Sequence, residues 1–71
     1  MSSSAKENFA KRLKTIRAEK GLSQEDLALL CGIDRTYIGR IERLERSPSI
    51  DILEKIANGL KISISELLKS C

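Results

Sequence analysis

The sequence of 71 residues has no histidine and no tryptophan, and it has only one proline, one phenylalanine and one tyrosine. Histidine is the most common general base and a frequent metal ligand in enzymes. Its absence argues against acid–base catalysis, a catalytic triad and a zinc centre. We therefore expect no enzymatic activity, no catalytic residue, no metal and no cofactor.

Cysteine and long apolar runs are scarce as well. Cys31 and Cys71 lie far apart in the chain and follow neither a disulfide framework nor a zinc-binding spacing. No run reaches the roughly 18 consecutive apolar residues that span a bilayer. Residues 1–20 carry charges every few positions in place of an apolar signal core. These features favour reduced thiols and a cytoplasmic protein without a membrane partner.

The length leaves room for one small core, so we expect a single domain over residues 1–71 with residues 1–4 disordered. A core of this size is marginal, and association with a second copy would help to stabilise it. Lysine and arginine total 13 against 10 aspartate and glutamate, for a net charge of +3. This excess mildly favours an anionic partner.

Valine is absent, and the apolar residues recur at intervals of three and four, which is the period of an α-helix. The pattern predicts an all-α, compact five-helix bundle. Helix starts are indicated by capping residues at Ser4, Ser23, Asp34, Ser49 and Ser63. Helix ends are indicated by glycines at Gly21, Gly32 and Gly59. The first helix is predicted over Ala5 to Lys20 and the third over Arg35 to Arg43.

The most informative stretch runs from Gln24 to Arg43, where two short helices are separated by a turn at Gly32. Two helices that cross through so short a turn need a small residue where their backbones approach, and Ala28 meets that need. Gly32 tolerates the left-handed backbone that the turn requires. The residues predicted to hold the third helix on the core are Ile33, Ile38 and Ile41.

The segment GLSQEDLALLCGIDRTYIGRIER, Gly21 to Arg43, resembles the helix-turn-helix of the phage-repressor-like (Cro/C1, XRE) family of bacterial transcription regulators. Arg17 and the segment PSIDILEKIA also resemble that family. QEDLA and DRTYI most resemble the controller proteins of restriction–modification systems. The resemblance implies a lambda-repressor-like fold with the helix-turn-helix in helices 2 and 3. It also implies a homodimer on a pseudo-palindromic operator in double-stranded DNA, with RNA polymerase as a further candidate partner.

The outward face of the third helix carries the candidate base contacts. Arginine can pair bidentately with guanine, and threonine can contact thymine through its methyl group. The alternative is an ordinary solvated face. The residues in question are Arg35, Thr36 and Arg40.

Candidate phosphate contacts flank that face. The start of the second helix favours an anion through its free backbone N–H groups and its dipole. Tyr37 could equally be a core or interface aromatic, and the two arginines after it could simply balance Glu42 and Glu45. The candidates are Ser23, Gln24, Tyr37, Arg43 and Arg46.

Two further sets of residues complete the prediction. The family resemblance implies a structural ion pair between Arg17 and Glu42. Apolar residues around the last two helices are left over when the core is filled, and we expect a twofold contact there, as the resemblance also implies. That candidate dimer interface comprises Leu44, Ile50, Ile62 and Ile64.

Two residues depart from the family pattern. Leu44 stands where most members carry glycine, and a left-handed leucine costs about 1–2 kcal/mol, so we expect the third helix to run on or the loop to turn differently. Gly39 lies inside the third helix on its predicted outward face, at a cost of about 1 kcal/mol relative to alanine. It either lets DNA approach closely or has no role in reading bases.

Other readings of the sequence remain open. A phage-type repressor shares the same fold and chemistry. An antitoxin-like module, whose helices chiefly bind a partner protein, is the alternative from another class. A ligand-sensing regulator would need a sensor domain that these residues do not provide.

Overall fold

The computed structural model describes residues 5–69, and within that range the chain forms five α-helices and no strand. The all-α prediction is confirmed. The expectations about Ser4, the first four residues and Cys71 lie outside the described residues. The helices are α1 (Ala5–Lys20), α2 (Gln24–Cys31), α3 (Arg35–Glu42), α4 (Ile50–Leu60) and α5 (Ile64–Leu67).

The helices α2 to α5 each begin with a side-chain cap at the predicted residue. At α2, Ser23 Oγ accepts a hydrogen bond from the Asp26 backbone N–H, and Asp26 Oδ2 accepts one from the Ser23 backbone N–H, each at 3.0 Å. The bond from the Ser23 backbone N–H reaches the carboxylate itself and is the main cause of the lowered pKa of the Asp26 carboxyl. The other three helices have single caps, made by Asp34, Ser49 and Ser63.

The helices α1 to α4 all end in the same turn. One residue adopts the left-handed conformation, and its N–H and the next residue's N–H donate to carbonyls of the last helical turn. This is the Schellman motif, which satisfies carbonyls that would otherwise lack a partner. The left-handed residues are Gly21 (φ 67°), Gly32 (φ 71°), Leu44 (φ 66°) and Lys61 (φ 60°).

Both alternatives expected for Leu44 are wrong, because α3 stops at Glu42 and the leucine takes the left-handed conformation itself. Leu44 N–H donates to Ile41 O at 3.1 Å, and Glu45 N–H donates to Arg40 O at 2.8 Å. These two bonds offset the cost of about 1–2 kcal/mol for a left-handed leucine. The loop therefore follows the path that glycine would allow.

The predicted end of α4 at Gly59 is also wrong. The helix continues to Leu60, and Lys61 supplies the left-handed residue. Gly59 has a different role, since an added Cβ there would lie 2.6 Å from Cys31 Sγ and 2.8 Å from Cys31 Cα. The glycine is needed because α2 and α4 approach closely at this point.

One apolar core joins the helices, with α2 packed against α3 and α4, α1 against α3, and α5 against α4. The outer side of α2 leaves Leu29 and Leu30 exposed. Within residues 5–69, no helix is both long enough and apolar enough to cross a membrane. The largest fully buried side chains are Leu13, Leu27, Ile38, Ile41, Ile56 and Leu67.

We expect Gly59→Ala to destabilise the fold by about 1–3 kcal/mol, because the new methyl group overpacks the α2–α4 contact. This loss is opposed by the gain of about 1 kcal/mol that alanine normally brings to a helix interior. Urea denaturation measures the change. The neighbouring exposed Asn58→Ala is the matched control and should leave stability unchanged or raised; a Gly59→Ala variant as stable as that control would contradict the close approach.

Candidate nucleic-acid interface

The ion pair between Arg17 and Glu42 lies at the centre of the site. Arg17 Nε donates to Glu42 Oε2 at 2.7 Å, and Arg17 Nη2 donates to Glu42 Oε1 at 2.8 Å. A third N–H of the guanidinium donates to Leu22 O at 3.0 Å. Glu42 is only 4% exposed, and its hydrogen bond is the main reason that the pKa of Arg17 is raised. The pair ties the end of α3 to α1.

Gln24 joins this pair from the start of α2. Its Nε2 donates to Glu42 Oε1 at 2.9 Å, and the residue is half-buried. One of its two amide N–H groups is therefore committed to the interior, which leaves one for an external anion. The residue that was expected only to contact phosphate thus also fixes the angle between α2 and α3.

Gly39 lies on the outward side of α3, in the wall of the concavity between α2 and α3, but it is buried there. A Cβ at this position would lie 3.0 Å from Arg43 Nη1 and 3.4 Å from Gln24 Oε1. The side chain of Arg43 folds back over the glycine and covers it. The glycine thus makes room for a neighbouring arginine of the same chain.

The three candidate base contacts are exposed on α3, as predicted from the pattern: Arg35, Thr36 and Arg40. Arg35 Nη1 lies 3.6 Å from Glu25 Oε1, and both side chains are largely exposed, so the pair is weak. Asp34 caps the helix beside them, and the hydrogen bond from the Thr36 backbone N–H lowers the pKa of its carboxyl. A concavity between α2 and α3 is lined by Arg17, Ser23, Gln24, Glu25, Arg35, Thr36, Gly39 and Arg43.

A second concavity lies on the other side of α3, with Tyr37 and Arg46 in its wall. The guanidinium carbon of Arg46 lies 5.0 Å from the centre of the Tyr37 ring, within cation–π range. A hydrogen bond from Arg46 is the main cause of the lowered pKa of the Tyr37 hydroxyl. Tyr37 is half-buried, so it supports Arg46 while keeping an exposed edge.

The expected balance of charges at the end of α3 is only partly present. Arg43 Nε donates to Glu45 Oε2 at 3.0 Å, so these two residues do pair. Arg46 stacks on Tyr37, and Glu42 pairs with Arg17. The suggestion that Arg46 also balances one of the two glutamates is therefore wrong.

The candidate dimer residues all lie in the segment between the loop after α3 and the start of α5. Ile50 is 72% exposed at the first position of α4, and Leu44 is exposed in the preceding loop. Ile62 and Ile64 are half-buried and pack partly against the core. Ile50 therefore offers most of its surface to another molecule, and Leu44 offers 38% of its surface.

Arg12 is a positioning residue that the sequence pattern missed. Its Nη2 donates to Glu66 O at 2.9 Å and its Nε to Leu67 O at 3.4 Å, so it holds the last turn of α5 against α1. These residues lie more than 50 positions apart, and no local pattern relates them. The described residues also contain no cluster of three or more acidic, cysteine or histidine side chains that could hold a metal.

Residues 13–67 match the family model described as helix-turn-helix. The control protein C.MunI of Mycoplasma sp is 48% identical over 60 residues, which cover 83% of this chain and 81% of that protein.

Solved structures agree with this match. The restriction-modification controller protein C.AhdI from Aeromonas hydrophila superposes with a TM-score of 0.81 at 45% identity, covering 87% of this chain and 94% of the other. The structure of C.Esp1396I bound to a 25 base pair operator site superposes with a TM-score of 0.80 at 43% identity, and the match covers 94% of this chain and 92% of the other.

Longer regulators match as well. The chain spans 57% of a hypothetical transcription factor of Neisseria meningitidis, at 39% identity over 84% of this chain. It spans 40% of the immunity repressor protein of Bacillus phage phi105, at 39% identity over 80% of this chain.

We expect Glu42→Ala to lower the free energy of unfolding by about 3–5 kcal/mol, because it leaves the partly buried Arg17 guanidinium without its carboxylate. Replacing both partners with apolar residues, Arg17→Met with Glu42→Leu, should cost less than the single change. The exposed Glu54→Ala serves as control, with an effect within about 0.5 kcal/mol. Urea denaturation checks all three, and a loss at Glu42 no larger than the control's would show that the pair contributes nothing.

Proposed function

Since the chain belongs to the helix-turn-helix family, we propose that it is a cytoplasmic transcription regulator that binds a pseudo-palindromic operator in double-stranded DNA as a homodimer. The narrower proposal is a controller protein of a restriction–modification system, which its likeness to C.MunI and C.AhdI supports. The observation that carries DNA binding is the exposed polar face of α3, held at a fixed angle to α2 by the buried carboxylate of Glu42.

Base reading is assigned to the start of α3. In helix-turn-helix proteins the N-terminal residues of the second helix contact base edges in the major groove. Arg35 can pair bidentately with guanine O6 and N7, and Thr36 can offer a hydroxyl or a methyl group. Arg40, more than a turn later, reaches the same groove or its edge.

Phosphate contacts are assigned to the residues around that face. The capped start of α2 presents free backbone N–H groups beside Ser23, and the remaining amide N–H of Gln24 lies close to them. On the other side, Arg46 is supported by the ring of Tyr37, and Arg43 borders the first concavity.

A dimer supplies the rest of the sequence specificity, because one recognition helix contacts only a few base pairs. Two copies related by a twofold axis would present their α3 helices about 34–36 Å apart, one turn of the duplex. The exposed apolar surface at Leu44 and Ile50 supports a contact on this side of the protein, with Ile62 and Ile64 beside it. RNA polymerase is a further candidate partner, because a dimer bound just upstream of a promoter can contact it.

A phage-type repressor is the second candidate function, and the match to the phi105 immunity repressor favours it. The DNA-binding chemistry is the same in both cases. The neighbouring genes distinguish the two candidate functions. Genes for a methyltransferase and an endonuclease accompany a controller protein, and a gene for an integrase accompanies a phage regulator.

We expect Arg35→Ala to relax base preference at one position of each half-site by about 1–3 kcal/mol. Arg46→Ala should instead weaken operator and random DNA by similar factors, because it removes a phosphate contact. Binding sites are first selected from random DNA, and affinities are then measured at one salt concentration. Equal losses on operator and random DNA for Arg35→Ala would defeat the base-reading assignment.

We expect the protein to sediment at twice the 7.9 kDa mass of the chain at micromolar concentration, and Ile50→Glu to shift it to the monomer. A charge at this position would be buried without a partner in the twofold contact. The matched control is Leu29→Glu, which changes a side chain that is equally exposed, at 75%, but lies on α2. A wild-type protein that stays monomeric with and without its DNA site would rule out the dimer.

A further inference from the structure

The end of α3 differs from the other three Schellman turns at one position. After the left-handed residue, α1, α2 and α4 each continue with an apolar side chain that packs against the core: Leu22, Ile33 and Ile62. An apolar residue is usual there, because it covers the last turn of the helix. In α3 the same position is Glu45, which is exposed. The turn therefore directs a carboxylate outward, whereas the apolar side chains at the same position of the other three turns contribute to the core.

That carboxylate is held against Arg43. Arg43 Nε donates to Glu45 Oε2 at 3.0 Å, and Arg43 Nη2 donates to Glu45 Oε1 at 3.4 Å, so both carboxylate oxygens face the guanidinium. The two residues are two positions apart. The turn holds them together, because the Glu45 N–H donates to Arg40 O. The bond from Arg43 is also the main cause of the lowered pKa of Glu45, so the carboxylate is charged at neutral pH.

The pair lies at the edge of the proposed DNA-binding surface. Arg43 borders the same concavity as Arg35 and Thr36, and it covers Gly39 at the middle of α3. Its side chain is 57% exposed and that of Glu45 is 52% exposed, so solvent or a ligand can reach both. Two coplanar carboxylate oxygens engage an arginine fork in the way that two phosphate oxygens do.

We propose that Glu45 is an internal competitor of DNA phosphate for Arg43, and that it sets the affinity of the protein for any duplex below what its arginines alone would give. The inference rests on the proposed function. Exposed ion pairs of this kind are weak, so DNA can displace the carboxylate. Each protomer then exchanges one internal anion for one external anion, and the freed carboxylate remains near the DNA backbone.

The consequence is a lower sequence-independent affinity, which is the part of binding that operator and non-operator DNA share. Sequence-independent affinity comes almost entirely from phosphate contacts and the counterions that they release. An arginine that already holds a carboxylate contributes less to that term than a free one. Base contacts at Arg35 do not involve Glu45, because the carboxylate paired with Arg35 is that of Glu25, at 3.6 Å.

The test uses a random-sequence DNA duplex and measures affinity against salt concentration for the wild type, Glu45→Gln and Glu54→Gln. Glu54 is an exposed acid on α4, outside both concavities, so its variant has the same change in net charge. We expect Glu45→Gln to bind about twofold to fivefold more tightly per protomer than Glu54→Gln. Its slope of log K against log salt should be steeper by up to about 0.9 per protomer, because in the wild type the freed carboxylate beside the DNA keeps a cation that the phosphate contact would otherwise release.

The arginine dependence is tested in an Arg43→Gln background. There the further change Glu45→Gln should gain less affinity over Glu54→Gln than it does when Arg43 is present, because the competition needs Arg43 and only the repulsion between the carboxylate and the phosphates remains. A gain of the same size in both backgrounds, or a single Glu45→Gln variant that matches Glu54→Gln in affinity and slope, overturns the inference. If instead the wild type and all variants fail to bind duplex DNA at low salt, the proposed function itself is wrong, and the inference falls with it.

Discussion

The carboxylate of Glu42 lies almost entirely out of solvent and accepts hydrogen bonds from Arg17 on α1 and Gln24 on α2. Burying a charge costs several kcal/mol unless its partners satisfy it, so these groups must stay together in the folded state. Three helices are thereby fixed at one point. The exposed side of α3 can present Arg35 and Thr36 at a constant angle because its opposite side carries this constraint.

The end of α3 is set by backbone hydrogen bonding. The chain makes the same turn four times, twice with glycine and twice with Leu44 or Lys61 in the left-handed conformation. The backbone bonds of the turn are worth enough to hold a side chain where glycine is normally preferred. Because the turn path is unchanged, the residue after Leu44 emerges beside Arg43, and the identity of that residue then decides the local charge.

The proposed DNA-binding surface is therefore not uniformly basic. Arg35 lies near Glu25, Arg43 is paired with Glu45, and Arg46 lies over an aromatic ring. Each arrangement orders an arginine before DNA arrives, but the acidic partners also oppose the phosphate backbone. Both effects change the sequence-independent part of binding, whereas discrimination between operator and other DNA rests on the proposed base contacts.

The sequence by itself determined the helices, their caps and the helix-turn-helix, because these depend on residues a few positions apart: Ser23 with Asp26, Asp34 with Thr36, and the apolar residues at helical spacing. It also indicated Arg17 and Glu42, through resemblance to a family. Only the tertiary structure decided that Gly59 lies in a close helix contact, that Gln24 donates to Glu42, and that Arg12 holds α5. Those relations join residues through space, where packing distance and the need to satisfy buried polar groups select one arrangement among many that the same local pattern allows.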